Sequence, residues 1–204
     1  MIPIASIVEG HGEVSALPVL LRRLSVWRPA SWYPQPLPPI RVHRDRFLNR
    51  DEEFRKKLLL AAAKCGAQGW ILVVLDADDD CPAQLAAAVY QRARQYVAHR
   101  RLSVVIANRE FEAWFIAAAR SLDGHRGFHV PQVVVDAEMP RDAKGWLRDH
   151  FDGGAYSEVL DQAAFAAAID LQQAFDNSRS FRKLCKEWQA HISGRIPPPA
   201  LETP

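Results

Sequence analysis

Three short apolar runs in this chain each end in acids. Residues 4–8 lead into Glu9-Gly10-His11-Gly12-Glu13, and residues 71–75 into Asp76-Ala77-Asp78-Asp79-Asp80. Residues 103–107 lead into Asn108-Arg109-Glu110, with Glu112 just beyond. If the runs are neighbouring strands of an open parallel sheet, their carboxyl ends face one ligand-binding edge. Carboxylates gathered there repel one another unless cations or protons intervene. Hard oxygen ligands in that number suit Mg²⁺ or Mn²⁺. A structural reading stands beside this one, because Asp79 and Asp80 precede a helix opening at Pro82 and could serve as its N-cap.

Other metal and catalytic patterns are excluded. An EF-hand starting at Asp76 would place Cys81 where glycine is required and Ala87 where the bidentate glutamate belongs. The three cysteines, Cys65, Cys81 and Cys185, have no CxxC spacing, and the seven histidines show no ligand spacing and no HExxH. Receiver and haloacid-dehalogenase patterns would place paired acids after the first strand, where Glu9 stands among glycines.

The elements that must position these acids alternate. A helix follows the first turn, with Leu17, Leu20, Leu21 and Leu24 on one face; Ser15 is its expected N-cap, which puts Pro18 harmlessly in the first turn. Residues 27–39 hold five prolines and read as a loop, and residues 40–43 as a short strand. Asp51 is the expected cap of a helix ending at Gly66. The continuous apolar residues 71–75 read as a central parallel strand. A helix from Pro82, the strand at 103–107 and a helix carrying Phe111, Trp114, Phe115 and Ala118 follow. The resulting β-α-β-α-β-α-β-α order predicts a parallel sheet covered on both faces. Beyond Ser121 the pattern becomes a loop with one candidate strand at 132–135. Helices follow at 144–150, 157–175 and 178–192, and then a proline-rich tail expected to be disordered. The expected division is an α/β domain over 1–122, a helical extension over 123–194 packed on it, and the tail 195–204.

At 204 residues the chain can bury a full core without disulfides or a structural metal. With 25% charged residues it does not read as disordered. The absence of a long apolar run or a basic leader predicts neither a membrane span nor a signal peptide, and a cytoplasmic location. The net charge of +2 hides a segregation: residues 22–57 hold ten Lys and Arg against four acids, whereas residues 76–80 hold four Asp. Such a split suits a protein that holds metal ions and meets a polyanion, or else a solvated basic face beside an acidic helix start. Arg22, Arg23, Arg41, Arg44, Arg46 and Arg179 are the candidate nucleic-acid contacts.

Val8-Glu9-Gly10-His11-Gly12-Glu13 after one strand and Leu75-Asp76-Ala77-Asp78 after another resemble the Toprim domain of topoisomerases, primases and OLD-type nucleases. With Leu17-Pro18, Phe111-Glu112-Ala113-Trp114-Phe115, Pro140 to Lys144 and Ser180-Phe181-Arg182-Lys183-Leu184, the chain is most similar to a Toprim-like bacterial family, domain-of-unknown-function family 4276. The resemblance implies a Toprim-like, Rossmann-like α/β fold. It implies Glu9 as metal ligand or general acid/base, Asp76 and Asp78 as the Mg²⁺-holding pair, and Glu13 and Glu112 as further acids. Asp80 extends the candidate ligand set. It also implies Lys144 as a charge placed against a phosphate or leaving oxygen, where an ordinary helix-start lysine is the alternative. The OLD-type Ser-x-Glu element has no clear counterpart here, unless Asn108-Arg109-Glu110 stands in for it.

The expected function is therefore a nuclease of DNA or RNA that uses Mg²⁺ or Mn²⁺, two ions in all, to activate water and stabilise the leaving oxygen. By analogy it extends to phage defence with an ATPase partner, and a homodimer is left open. The rival expectation is a non-catalytic module that holds metal, a nucleotide or a partner.

Overall fold

The computed structural model describes residues 1–29, 32–133, 135–154 and 156–192. Its frame is a five-stranded parallel sheet formed by β1 (Ile2–Val8), β2 (Pro34–Pro36), β3 (Ile40–Arg41), β4 (Trp70–Asp76) and β5 (Arg101–Ala107). β1 pairs with β4 and β4 with β5, while β2 and β3 take successive halves of the outer edge of β1. Asp76 stands level with Ala107 at the carboxyl end of the sheet.

Alternation along the strands divides the core in two. Ile4, Val8, Trp70, Leu72, Val74 and Val105 face one side. Ala5, Ile7, Ile71, Val73, Leu75, Val104 and Ile106 face the other. The second face is covered by α2 (Arg44–Asn49), α3 (Asp51–Cys65) and α4 (Pro82–Arg94), through Phe47, Phe54, Leu58 and Val89. The first face is covered by α1 (His11–Trp27) and the short α5 (Ala113–Ala117), and then by the C-terminal helices. These are α6 (Ala143–Asp149), α7 (Glu158–Ala168), α8 (Leu171–Asn177) and α9 (Arg179–Ile192). Leu17, Trp114, Phe128, Phe165, Phe181 and Trp188 share a single buried cluster there, so these helices and α1 bury one another's apolar faces.

Four local expectations change. α1 starts at His11 rather than after Ser15, because Glu13 reaches back to the Glu9 N–H (3.1 Å) and closes the first turn. Pro18 therefore lies inside the helix and removes one main-chain bond. Asp51 is the first residue of α3 rather than its cap, and its carboxylate accepts from the Tyr96 hydroxyl (2.7 and 2.8 Å) and Arg92 (3.0 Å). The proline-rich segment supplies β2, which edge strands tolerate because a missing N–H there can face outward. The single helix expected over 157–175 is two helices, since the Asp170 carboxylate accepts the N–H groups of Gln172 and Gln173 and starts α8.

Gln132, Val133 and Val135 lie outside any strand, and Val134 is outside the described residues, as are Gly194 and the tail 195–204. The segments that carried the resemblance near the C-terminus meet in the core. The Trp114 indole N–H donates to Ser180 (2.9 Å), and its ring meets Phe181 edge-on at 5.6 Å.

Candidate functional site

Val74 and Asp76 share a face of β4, so the carboxylate continues toward α1 and the C-terminal helices. Its Oδ1 accepts the Phe111 N–H at 2.8 Å and ties the loop after β5 to the end of β4. That loop delivers Glu112, fully buried, just before α5. One Glu112 oxygen accepts from the Tyr156 hydroxyl (3.0 Å) and the Gln162 amide (2.6 Å). Glu13, 2% exposed, comes from the first turn of α1, and Glu9, half-buried, from the end of β1.

These acids feel one another. Burial holds Asp76 well above the usual carboxylate range; Glu13 and Glu112 add repulsion, and Lys144 opposes it. Burial pushes Glu13 up to about 8 against the Glu9 N–H, and Glu112 adds to the rise. Burial likewise pushes Glu112 up to about 7, against Lys144 and the Gln162 hydrogen bond. Glu9 is raised by burial and then by Asp78, with Arg44 and Lys144 opposing. Among the described residues, Glu9 Oε2, Glu112 Oε2 and Gln162 Oε1 are buried acceptors without a donor. Orphan acceptors inside a set of mutually repelling acids fit a hard cation, which would supply the missing positive partner.

The cations are placed around this set. Lys144 lies in the first turn of α6, and its N–H donates to Glu110 (2.9 Å). Its ammonium lies 3.4 Å from Glu158 and 3.7 Å from Glu110. Burial alone would lower its pKa, but Glu112, Asp76, Glu110 and Glu158 outweigh that and raise it. Arg44 clamps the next loop: it donates to the main-chain oxygens of Asp76 (3.1 Å) and Ala77 (3.3 Å) and pairs with Asp80 (2.5 Å) and Asp78 (3.5 Å). Asp79 is exposed and pairs with Arg109 (2.9 Å) and Arg141 (3.1 Å).

Asp78 and Arg109 both adopt left-handed backbone (φ 50° and 66°), and the Asp78 N–H donates to the Arg109 carbonyl at 2.9 Å. For arginine this conformation costs about 1–2 kcal/mol, held here by the two interlocked loops.

The fold thus draws Glu9, Glu13, Asp76, Glu112 and Lys144 into one electrostatic unit. Asp78 and Asp80 lie at its exposed margin, held by Arg44, and Asp78 still acts on Glu9. Among the described residues, no three His, Cys, Asp or Glu side chains form a ready coordination shell. Of the arginines, Arg22, Arg41, Arg46 and Arg179 are exposed. Arg23 donates to the Ala166 carbonyl (3.0 Å), and Arg44 is occupied by the loop after β4.

Sequence reading missed Tyr156, Gln162 and Glu158, which no local spacing distinguishes; it placed Glu110 at the sheet edge without giving it a role at the site. It also read Gly12 only as part of a turn. A Cβ on Gly12 would lie 2.3 Å from Gln162 Oε1 and 2.4 Å from the Glu158 carbonyl oxygen, so this glycine lets α1 and α7 close over the acids.

Residues 8–188 match the family described as domain of unknown function (DUF4276), and the chain belongs to that family. No curated protein and no solved structure matches it. No described helix is long and apolar enough to cross a membrane.

Proposed function

We propose that this member of the DUF4276 family is a Mg²⁺- or Mn²⁺-dependent phosphodiester-cleaving enzyme that acts on nucleic acid. The observation that carries this reading is the buried trio Glu13, Asp76 and Glu112. It comes from three strand ends, its pKa values are pushed up together, and an orphan oxygen remains on Glu112 and on neighbouring Glu9. Perturbed acids gathered at the carboxyl edge of a parallel sheet are the arrangement expected of a functional site.

Asp76, Glu112, Glu13 and Glu9 would hold the cation. When bound, it supplies Lewis-acid stabilisation of phosphate charge and a more acidic water. Glu9 is half-buried, with one buried orphan oxygen and a raised pKa; in place of a ligand role it would serve as proton acceptor for an attacking water. Lys144 holds a positive charge beside the acids, where it would meet charge growing on a leaving oxygen. The exposed Arg22, Arg41, Arg46 and Arg179 would contact phosphates. A partner ATPase and a role in phage defence enter this reading only by resemblance, and a cytoplasmic location only from the sequence expectation.

The test is cleavage of plasmid DNA and of tRNA by the purified chain with Mg²⁺ or Mn²⁺. Expected are cleavage that EDTA stops, its loss in Asp76→Asn, and a fall of about a hundred- to a thousandfold in Lys144→Met. Ion-dependent stabilisation without cleavage of either substrate would establish the non-catalytic module instead.

A further inference from the structure

β5 is the open edge of the sheet, and its main-chain groups can be assigned to sides. The Ala107 carbonyl accepts the Ala77 N–H at 2.9 Å, so Ala107 turns its polar groups toward β4. Main-chain polar groups alternate sides along a strand, so Arg101, Ser103 and Val105 also point to β4, and Leu102, Val104 and Ile106 point away. Among the described residues, no main-chain or side-chain partner meets those three N–H and C=O pairs. Buried main-chain groups normally do not stay unpaired.

The edge does not lie flat in solvent. Leu102, Val104 and Ile106 are only 5%, 4% and 3% exposed, at the floor of a cavity of about 880 Å³. One wall is α4, through Pro82, Ala83, Ala86, Ala87 and Tyr90; the other is α9, through Arg179, Lys183 and Glu187. The α4 wall is apolar. On the α9 wall Lys183 and Glu187 neutralise each other; the Arg179 main-chain N–H meets Glu138, which also lines the cavity, while among the described residues its guanidinium forms no ion pair.

We infer that this cleft takes an extended peptide from a partner protein as an added strand on β5. Its small apolar side chains would face α4, and an acidic side chain would face Arg179. Strand addition satisfies the three outward main-chain pairs at once, and the alternation of an extended peptide matches two walls of different polarity. A second copy of this chain is a poor occupant, because its own β5 is recessed between its own α4 and α9 and cannot enter the cleft. The inference is independent of the acid cluster and of any nuclease activity.

The probe is a blocked heptapeptide of alternating valine and glutamate, with amide hydrogen exchange read residue by residue on the full chain. Expected is at least tenfold slower exchange at Leu102, Val104 and Ile106. Ser103 and Val105, already bonded to β4, should remain unchanged. The same peptide N-methylated along its β5-facing edge should give no protection, and Ala87→Trp, a substitution at an exposed position of the cleft wall, should abolish it. Three results would overturn the inference: no protection at millimolar peptide, equal protection by the N-methylated peptide, or protection that grows with protein concentration alone. The last would assign the edge to a second copy.

Discussion

Glu13→Gln isolates the cost of crowding acids beneath α1. In the folded chain the Glu13 carboxyl titrates at about 8, against 4.5 for an unhindered glutamate. Burial is the main cause, with Glu112 adding to it. Below pH 4.5 both folded and unfolded chains hold the proton, so the fold bears no penalty. Between 4.5 and 8 the unfolded chain releases the proton while the folded chain retains it, and stability falls as pH rises. At 1.36 kcal/mol per pH unit, the loss between pH 5 and pH 8 is about 3 kcal/mol, a titration Glu13 shares with the acids around it. Glu112 acts with the same sign over an interval ending near 7. Glu187, drawn down to about 2 despite its burial by hydrogen bonds from His191, Lys183 and Ser103, gains its stability below this window.

Glutamine keeps an acceptor for the Glu9 N–H and does not titrate. Whatever its constant effect, the variant should gain about 3 kcal/mol on the wild type between pH 5 and pH 8. For a chain of this size that is roughly 6–12 °C in melting temperature. Urea and thermal unfolding in EDTA at both pH values measure it. A wild type that becomes more stable from pH 5 to pH 8, or a variant whose profile runs parallel to it, would refute the reasoning.

Three further outcomes are expected. Millimolar Mn²⁺ should raise the wild-type melting temperature more at pH 8 than at pH 5, since protons compete for the acids, and Asp76→Asn should lose that rise; thermal melts with and without the ion decide it. Gly12→Ala should cost about 2–3 kcal/mol, because its methyl meets the Glu158 carbonyl, a main-chain atom that moves only if α7 moves; an unchanged urea midpoint would show that the helices are not in close contact. Lys144→Met should cost about 1–2 kcal/mol at pH 8, above the ±0.5 of an ordinary surface lysine, because it strips a part-buried cation from among four acids; denaturant titration checks it, and a cost within 0.5 would return Lys144 to the role of a helix-start residue.

The parallel α/β frame and the acids at its edge were legible in the chain because their signals are local. A run such as residues 71–75 is apolar at every position, which suits a strand covered on both faces, and strand ends of one sheet share an edge wherever the helices lie. Short-range chemistry misled where two local solutions compete. Ser15 is a good N-cap by type, but the turn that Glu13 closes starts the helix five residues earlier. Residues 157–175 are helical in pattern, but Asp170 starts a second helix within them. Prolines 34 and 36 argued for a loop, and only the vacant outer edge of β1 makes a strand of them.

The division of the acids was decided by tertiary structure alone. Asp76 and Asp78 are two residues apart and equivalent by type, yet Asp76 is sealed beneath α1 and the loop after β5, while Asp78 turns out to solvent beside Arg44. Tyr156, Gln162 and Lys144 reach the acids from 44, 50 and 68 residues beyond Glu112 and Asp76, because helices after residue 140 fold back over the sheet edge. A carboxylate's chemistry depends on how much water it loses and which charges surround it, and both are set by the chain that covers it.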